Sequence, residues 1–227
     1  MKTIRSNVFE TNSSSCHTIT FINPDNNRLR YWPSGSYKTL RMSSEENFYG
    51  GGEFNDPITK AMYFSDALSA YILREFNNKT AEYYFNKGIT EEDFNPGFPD
   101  TIRERLLKKV DYHGNPLNDE QYKSFIMSYA EDLKKQKEVL DQILELLSQI
   151  KDSIGAYFEN EGTKIIWEDT DGDDWTKTLE PKGQIDHQSN IYEDEDCEKL
   201  ALLFQDVPTL YKWIMTKEGA LYLTSDG

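Results

Sequence analysis

Residues 118–158, NDEQYKSFIMSYAEDLKKQKEVLDQILELLSQIKDSIGAYF, carry the strongest periodic signal in the chain. Tyr122, Phe125, Ile126, Tyr129, Leu133, Leu140, Ile143, Leu147, Ile150, Ile154 and Tyr157 recur at helical spacing, which puts them on one side of an α-helix. No Pro or Gly interrupts before Gly155, and Asn118 or Asp119 supplies an N-cap. At ~1.5 Å per residue a continuous helix over this stretch is a rod of about 60 Å, wider than a compact domain of this size. The stretch therefore either breaks near Lys134-Lys135-Gln136-Lys137, as a broken helix or helical hairpin, or projects as an arm. From Leu133 onward the apolar spacing is that of a coiled-coil seam, which suits a homodimer through this helix.

Upstream, Asp56 is a good N-cap with Pro57 at the first helical position. Ile58, Met62, Leu68, Tyr71, Ile72 and Phe76 then predict the apolar face of a helix, with shorter helices near 80–87 and 99–110 on either side of Pro96-Gly97-Phe98-Pro99. The two ends of the chain read as strands. Residues 1–22 alternate weakly and end in Thr18-Ile19-Thr20-Phe21-Ile22, Arg28 to Leu40 predicts a strand pair bent at Pro33-Ser34-Gly35, and 43–55 with Gly50-Gly51-Gly52 predicts a mobile loop. Lys164-Ile165-Ile166-Trp167-Glu168 and Trp175-Thr176-Lys177-Thr178-Leu179 flank a turn at Asp169–Asp174 as a hairpin. Residues 196–205 and 208–216 predict short helices, and Ala220-Leu221-Tyr222-Leu223 a closing strand. The expected fold is α+β: a mixed or antiparallel sheet from N- and C-terminal strands around a central helical region. A single domain over residues 1–227 carries 118–158 as its long helix, hairpin or arm.

Composition narrows the class. Hydrophobic residues make up only 37% of the 227, but aromatics reach 13%, and 14 Tyr with 12 Phe can build a core where aliphatics are sparse. Forty acidic against 25 basic residues give a net charge of -15, which repels phosphate and argues against direct nucleic-acid binding. Two local basic groups stand against that trend, Arg28, Arg30, Lys38 and Arg41, and Arg103, Arg105, Lys108 and Lys109; as ordinary solvated faces they need no ligand. An acidic surface suits solubility, a basic protein partner or imitation of nucleic acid, although the scattered carboxylates do not suggest the last. No apolar run approaches membrane-spanning length and no secretory h-region opens the chain. Two cysteines, Cys16 and Cys197, fit free thiols in a reducing cytoplasm.

Chemistry concentrates in Glu10-Thr11-Asn12-Ser13-Ser14-Ser15-Cys16-His17. Backbone N–H groups and the hydroxyls of Thr11, Ser13, Ser14 and Ser15, with the Asn12 amide, can wrap an anion. In an extended strand Ser15 and His17 share a face and Cys16 points the other way, so Ser15 with His17 is the candidate catalytic pair and Cys16 a core residue. The alternative is a serine-rich turn whose hydroxyls satisfy local backbone. Asp186-His187, with Ser189 beside it, is the second candidate; brought to His17 it would divide acid and base roles or complete a two-His, one-carboxylate set. No metal or cofactor is assigned. His113, in Tyr112-His113-Gly114-Asn115-Pro116, is a turn residue. Asp169-Thr170-Asp171-Gly172-Asp173-Asp174 has glycine at the fourth position where a calcium loop needs it at the sixth, and Gly50-Gly51-Gly52 lacks the Lys-Ser/Thr of a P-loop. Glu193-Asp194-Glu195-Asp196 is a solvated run leading into a helix N-terminus.

The opening stretch RSNVFETNSSSCHTITF, about 20 of the 227 residues, resembles the start of a set of small phage and mobile-element proteins, chiefly of Gram-positive bacteria. These share a strand followed by Phe-Glu-Thr-Asn-Ser-Ser-Ser-x-His, with Cys16 here at the variable position. Ile185-Asp186-His187-Gln188-Ser189 and the terminal Thr224-Ser225-Asp226-Gly227 resemble the set more weakly. The resemblance implies a phage-like origin and carries no reaction with it. The expectation is an accessory protein that acts in the host cytoplasm by binding a host protein, with counter-defence among the roles that fit. The alternative is a small enzyme, or a binder of a phosphate- or nucleotide-like group, using the Ser-rich/His segment with Asp186 and His187.

Overall fold

Helix α1 (Pro57–Lys87) begins where Asp56 accepts the Thr59 N–H on its carboxylate at 2.9 Å, and Pro57 occupies the turn position whose N–H has no helical partner. No Pro or Gly follows until Gly88, whose left-handed φ of 82° lets its N–H close back onto the Tyr84 carbonyl at 2.8 Å and stop the helix. The region around 80–87 is thus the end of α1 and not a separate helix. The computed structural model describes residues 16–20, 29–33, 35–42, 52–134, 136–167, 206–217 and 220–224. The other elements are β1 (Cys16–Thr20), β2 (Thr39–Met42), β3 (Gly52–Phe54), α2 (Asp100–Lys108), α3 (Asp119–Met127), α4 (Lys137–Asn160), β4 (Lys164–Trp167), α5 (Val207–Met215) and β5 (Ala220–Thr224). The protein is α+β, with more helix than strand among the described residues. None of its described helices is long and apolar enough to cross a membrane.

Two compact units are formed, Met1–Tyr71 with Gln149–Gly227, and Ile72–Ser148. The first unit holds all five strands found among the described residues. β5 lies between β1 and β3, antiparallel to both, with His17 opposite Leu223 and Glu53 opposite Tyr222. Pairing of Gly52–Phe54 with β5 corrects the loop expected over 43–55; three residues beginning with glycine show no alternation for sequence to register, and backbone bonding to β5 makes the strand. β2 and β4 form a parallel pair, and Leu40 and Met42 turn inward while Thr39 and Arg41 face out. The pair is seeded where α4 ends: Gly162 takes a left-handed turn, the Thr163 hydroxyl donates to the Tyr37 carbonyl and the Lys164 N–H to that of Lys38. The second arm of the hairpin expected at 164–179 and the helix expected at 196–205 lie outside the described residues.

The buried stripe at the start of α1 runs Pro57, Lys60, Ala61, Phe64, Ala67 and Leu68. Ile58, expected on that face, is 52% exposed because Pro57, Lys60 and Ala61 fill the inner side of the first turn. Lys60 is 0% exposed. Its ammonium donates to the carbonyls of Trp213 at 2.6 Å and Thr216 at 2.7 Å and stands 5.7 Å from the centroid of the Trp213 ring. Those carbonyls lie where α5 ends, which is where a helix leaves acceptors unpaired and favours a cation. α5 itself opens on Asp206, whose carboxylate accepts the Thr209 N–H, with Pro208 in its first turn.

The second unit is built on aromatics. Ala81, Tyr84, Phe98, Leu106, Tyr122, Ile126 and Leu133 form its buried cluster, and Tyr83, Phe85, Phe94, Phe125 and Tyr129 pack around it. α2 follows the Pro99 turn and ends at Lys109, the one non-glycine residue with positive φ (54°) among those described. α3 opens on a capping box: Gln121 N–H donates to the Asn118 side chain at 2.9 Å and Asn118 N–H to that of Gln121 at 3.0 Å. Residues 118–158 are not one helix. α3 stops at Met127 and α4 starts at Lys137, because the chain between is bonded elsewhere. Leu133 bridges Phe94, Lys134 N–H donates to the Asp93 carbonyl at 2.8 Å, and the Leu133 and Lys134 carbonyls accept from Asn95 and the Tyr84 hydroxyl. Along α4, Val139, Ile143, Leu147, Ile154 and Phe158 are buried, so these side chains are covered within the chain itself.

Replacing Lys60 by Met keeps an unbranched side chain, one atom shorter, and leaves the two carbonyls without the ammonium donor. Each unmet buried acceptor costs about 1–3 kcal/mol, so Lys60→Met is expected to lower Tm on the order of 5–10 °C. An unchanged thermal melt would show that the contact does not hold the end of α5.

Candidate functional site

Most residues marked by sequence lie beyond view. Thr11, Asn12, Ser13, Ser14, Ser15, Asp186, His187 and Ser189 are outside the described residues, as is Arg28. His17 is on β1 at the register position opposite Leu223, with Cys16 opposite Thr224. Lys38 and Arg41 are solvent-exposed. Of the α2 group, Lys108 pairs with Glu104, and Arg103 pairs with Asp100 while donating to the Phe98 carbonyl. Arg105 and Lys109 rest over the rings of Phe125 and Tyr122, at 4.7 and 5.0 Å. These cations cover the aromatic core of their unit, and the basic group reads as solvated structure. Among the described residues no three His, Cys, Asp or Glu side chains gather as a metal-holding group.

The densest polar network described is at the end of α1. Asp93, 4% exposed, accepts from the Lys87 ammonium at 2.8 Å, the Thr90 N–H at 2.9 Å and the Thr90 hydroxyl at 2.8 Å. The Lys87 ammonium also lies over the rings of Tyr83 and Tyr84. Burial pushes the Asp93 carboxyl up, but Lys87 and the two Thr90 donors outweigh it and hold the group below the ordinary carboxylate range. The Asp93 bond raises the pKa of Lys87. Tyr84 is raised chiefly by burial; it donates to the Lys134 carbonyl at 2.6 Å and accepts from Gln136 at 3.0 Å. Both Asp93 oxygens are bonded and the Tyr84 hydroxyl both gives and receives, so this network fastens the 128–136 break.

A different kind of feature is the loop between α2 and α3. Lys109 accepts the Leu117 N–H at 2.9 Å across its base, and Val110 bridges Pro116. Above them Asp111 N–H donates to the Asn115 carbonyl at 2.9 Å, and one Asp111 carboxylate oxygen accepts the N–H groups of His113 and Asn115, both at 2.8 Å. The other accepts the Asn115 side-chain amide at 3.0 Å, and Gly114 turns through a φ of 84°. The Asn115 side-chain and backbone donors, with the His113 N–H, hold the Asp111 pKa low. On this cross-braced tip Tyr112 is 75% exposed, the most exposed large hydrophobic side chain among the described residues, and its ring lies 3.6 Å from that of His113. Sequence identified the turn; it gave no sign that Tyr112 stands outside the aromatic core.

A second surface group is in the first unit. The ring of Tyr211 of α5 lies 6.4 Å from that of Tyr31 and 5.7 Å from that of Tyr157 of α4, with buried Phe158 at 5.0 Å. Tyr31 is 47% exposed; it bridges Thr216, and Trp32 N–H donates to the Met215 carbonyl, so the end of α5 fixes this segment. Burial raises the Tyr211 pKa, and the negative charge of Glu161 adds to the rise.

Compared with known proteins, the chain matches no family model, and no curated protein or solved structure is significantly similar to it.

Because the folded-state pKa of Asp93 is depressed, its contribution is present above the ordinary carboxylate pKa and is lost as pH falls through the lowered value. Asp93→Asn is therefore expected to lower Tm at neutral pH, with the gap from the parent narrowing toward acid. A gap that stayed constant across that range would remove the ion pair from the account.

Proposed function

We propose that this chain is an accessory protein of a phage or related mobile element that acts in the host cytoplasm by binding a host protein, a component of a defence system being one target that such an origin brings. The observation that carries this reading is Tyr112, held three-quarters exposed at the tip of a hydrogen-bonded loop. Leaving a tyrosine ring in water forgoes the burial that its fellow aromatics gain, and burial against a partner recovers it. Tyr is also among the side chains that dominate binding energies at protein interfaces. The bracing by Asp111 matters equally, since a loop already held in one conformation loses little entropy on docking. Lys109, strained into the left-handed region at the base of the same loop, is the kind of backbone outlier that accompanies functional segments. The resemblance of residues around Glu10–His17 supports the origin.

The test is co-purification from a Gram-positive host of the wild-type chain and of Tyr112→Ala. A host protein retained in stoichiometric amount by the wild type is expected to be lost from the variant, while the variant melts within about 1 °C of the parent, as exposed substitutions do. The same retained protein with both chains would overturn the assignment of Tyr112.

A further inference from the structure

We infer that Arg105, Lys109 and Lys123 form a docking surface for a short acidic segment of a protein partner, whose carboxylates meet the three cations. The inference rests on the reading of this chain as a protein binder and adds the chemistry of what is bound. The three side chains and the rings beneath them all belong to the unit Ile72–Ser148. The Arg105 guanidinium stands 4.7 Å from the centroid of the Phe125 ring, the Lys109 ammonium 5.0 Å from that of Tyr122 and the Lys123 ammonium 4.6 Å from that of Phe85. These rings make one floor. Phe85 and Tyr122 lie 6.2 Å apart, and Phe125 follows Tyr122 by three residues on α3, a spacing that makes side chains neighbours. The two ammoniums are therefore at most about 16 Å apart, the length of roughly five residues of extended chain. Arg105 precedes Lys109 by four residues, where α2 ends.

What sets these three cations apart is that none has a carboxylate. Lys108 and Arg103 of α2 pair with Glu104 and Asp100, but Arg105, Lys109 and Lys123 make no ion pair among the described residues. The Arg105 side chain donates to no acceptor there, and its Nε–H is shut off from water without one. The carboxylates of α2, its loop and α3 are held elsewhere. Asp100 and Glu104 have their own cations, and Asp111 is bonded through both oxygens inside the loop. Asp119 and Glu120 occupy the first turn of α3, where unpaired N–H groups favour negative charge. Lys109 and Lys123 are solvent-exposed and Arg105 is half-buried. Stems packed on rings keep the charged heads in water and lose little freedom when a partner arrives. Solvated in the free protein, the heads offer an incoming carboxylate two point charges and one forked donor. Length selects the partner. A net charge of -15 repels a long polyanion such as nucleic acid, whose phosphates run on beyond the patch, whereas a segment of about five residues ends within it.

The probe is the capped peptide acetyl-Glu-Gly-Glu-Gly-Glu-amide, titrated into the full-length protein with the N–H resonances of Arg105, Lys109 and Lys123 followed by NMR. The glutamine analogue is the neutral control and a short oligothymidylate the phosphate control. Saturable shifts are expected with the glutamate peptide, none with the glutamine analogue, and weaker binding with the oligothymidylate. Lys109→Gln and Lys123→Gln should each weaken the peptide affinity roughly 1.5- to 5-fold, the worth of one exposed ion pair. Lys38→Gln, an equal charge change at an exposed position of the other unit, should leave it unaltered. Since Lys123 is exposed on α3, its variant keeps the test sound even if Lys109→Gln disturbs the base of the loop. A failed titration overturns this proposal and leaves Tyr112 to its own co-purification, whereas a partner retained by Tyr112→Ala overturns that assignment and leaves the titration standing. No saturable shift at the three cations, an equal response to the glutamine analogue, equal or tighter binding of oligothymidylate, or equal effects of Lys38→Gln and Lys123→Gln would each overturn the proposal.

Discussion

Lys60 is the contact on which the first unit turns. An ammonium with no solvent exposure is tolerated only where oxygens surround it, and here the carbonyls at the end of α5 supply them. The bond joins positions 153 and 156 residues apart in sequence and fixes the last turn of α5 against the first turn of α1. The Thr216 carbonyl so held belongs to the residue that bridges Tyr31, and the neighbouring Met215 carbonyl receives Trp32. The segment at Tyr31 and Trp32 is therefore held to a helix end whose fixed point is a buried charge.

The same constraint recurs in the second unit with different side chains. Wherever the chain leaves a helix, backbone carbonyls lose their helical partners and must be met from elsewhere. Tyr122 donates to the Leu106 carbonyl at the end of α2, Asn95 to Leu133, and Tyr84 to Lys134. Asp93 acts from the other side, since its own carbonyl takes the Lys134 N–H while its carboxylate is held by Lys87 and Thr90. Polar groups of an aromatic core thus decide where helices stop. The groups that fasten the 128–136 break are occupied with one another, and the most exposed large hydrophobic side chain among the described residues is Tyr112, on the braced loop.

Local signals were legible where a single residue type settles a local need. Asp56-Pro57 marked the start of α1, Asn118 capped α3, and Pro208 stood in the first turn of α5. The turn at Tyr112-His113-Gly114-Asn115-Pro116 was legible because Gly and Asn supply its backbone angles. The α+β class followed from the change of period along the chain. Two features of the tertiary structure were not legible. Nothing in the spacing of Tyr31, Tyr157 and Tyr211 says that they meet, and a lone Tyr112 in an aromatic-rich chain looks like one more core residue.

Sequence by itself determined the class of fold, the starts of α1, α3 and α5, the net acidic charge and the concentration of hydroxyls before His17, because propensity, capping and charge act over a few residues. Only tertiary structure decided that Lys60 is core, that Ile58 is not, that 118–158 is two helices and that Gly52–Phe54 is a strand. The physical reason is common to all four. Each depends on a backbone group or a packed face meeting a partner far along the chain, and such a meeting leaves no periodic trace in either segment.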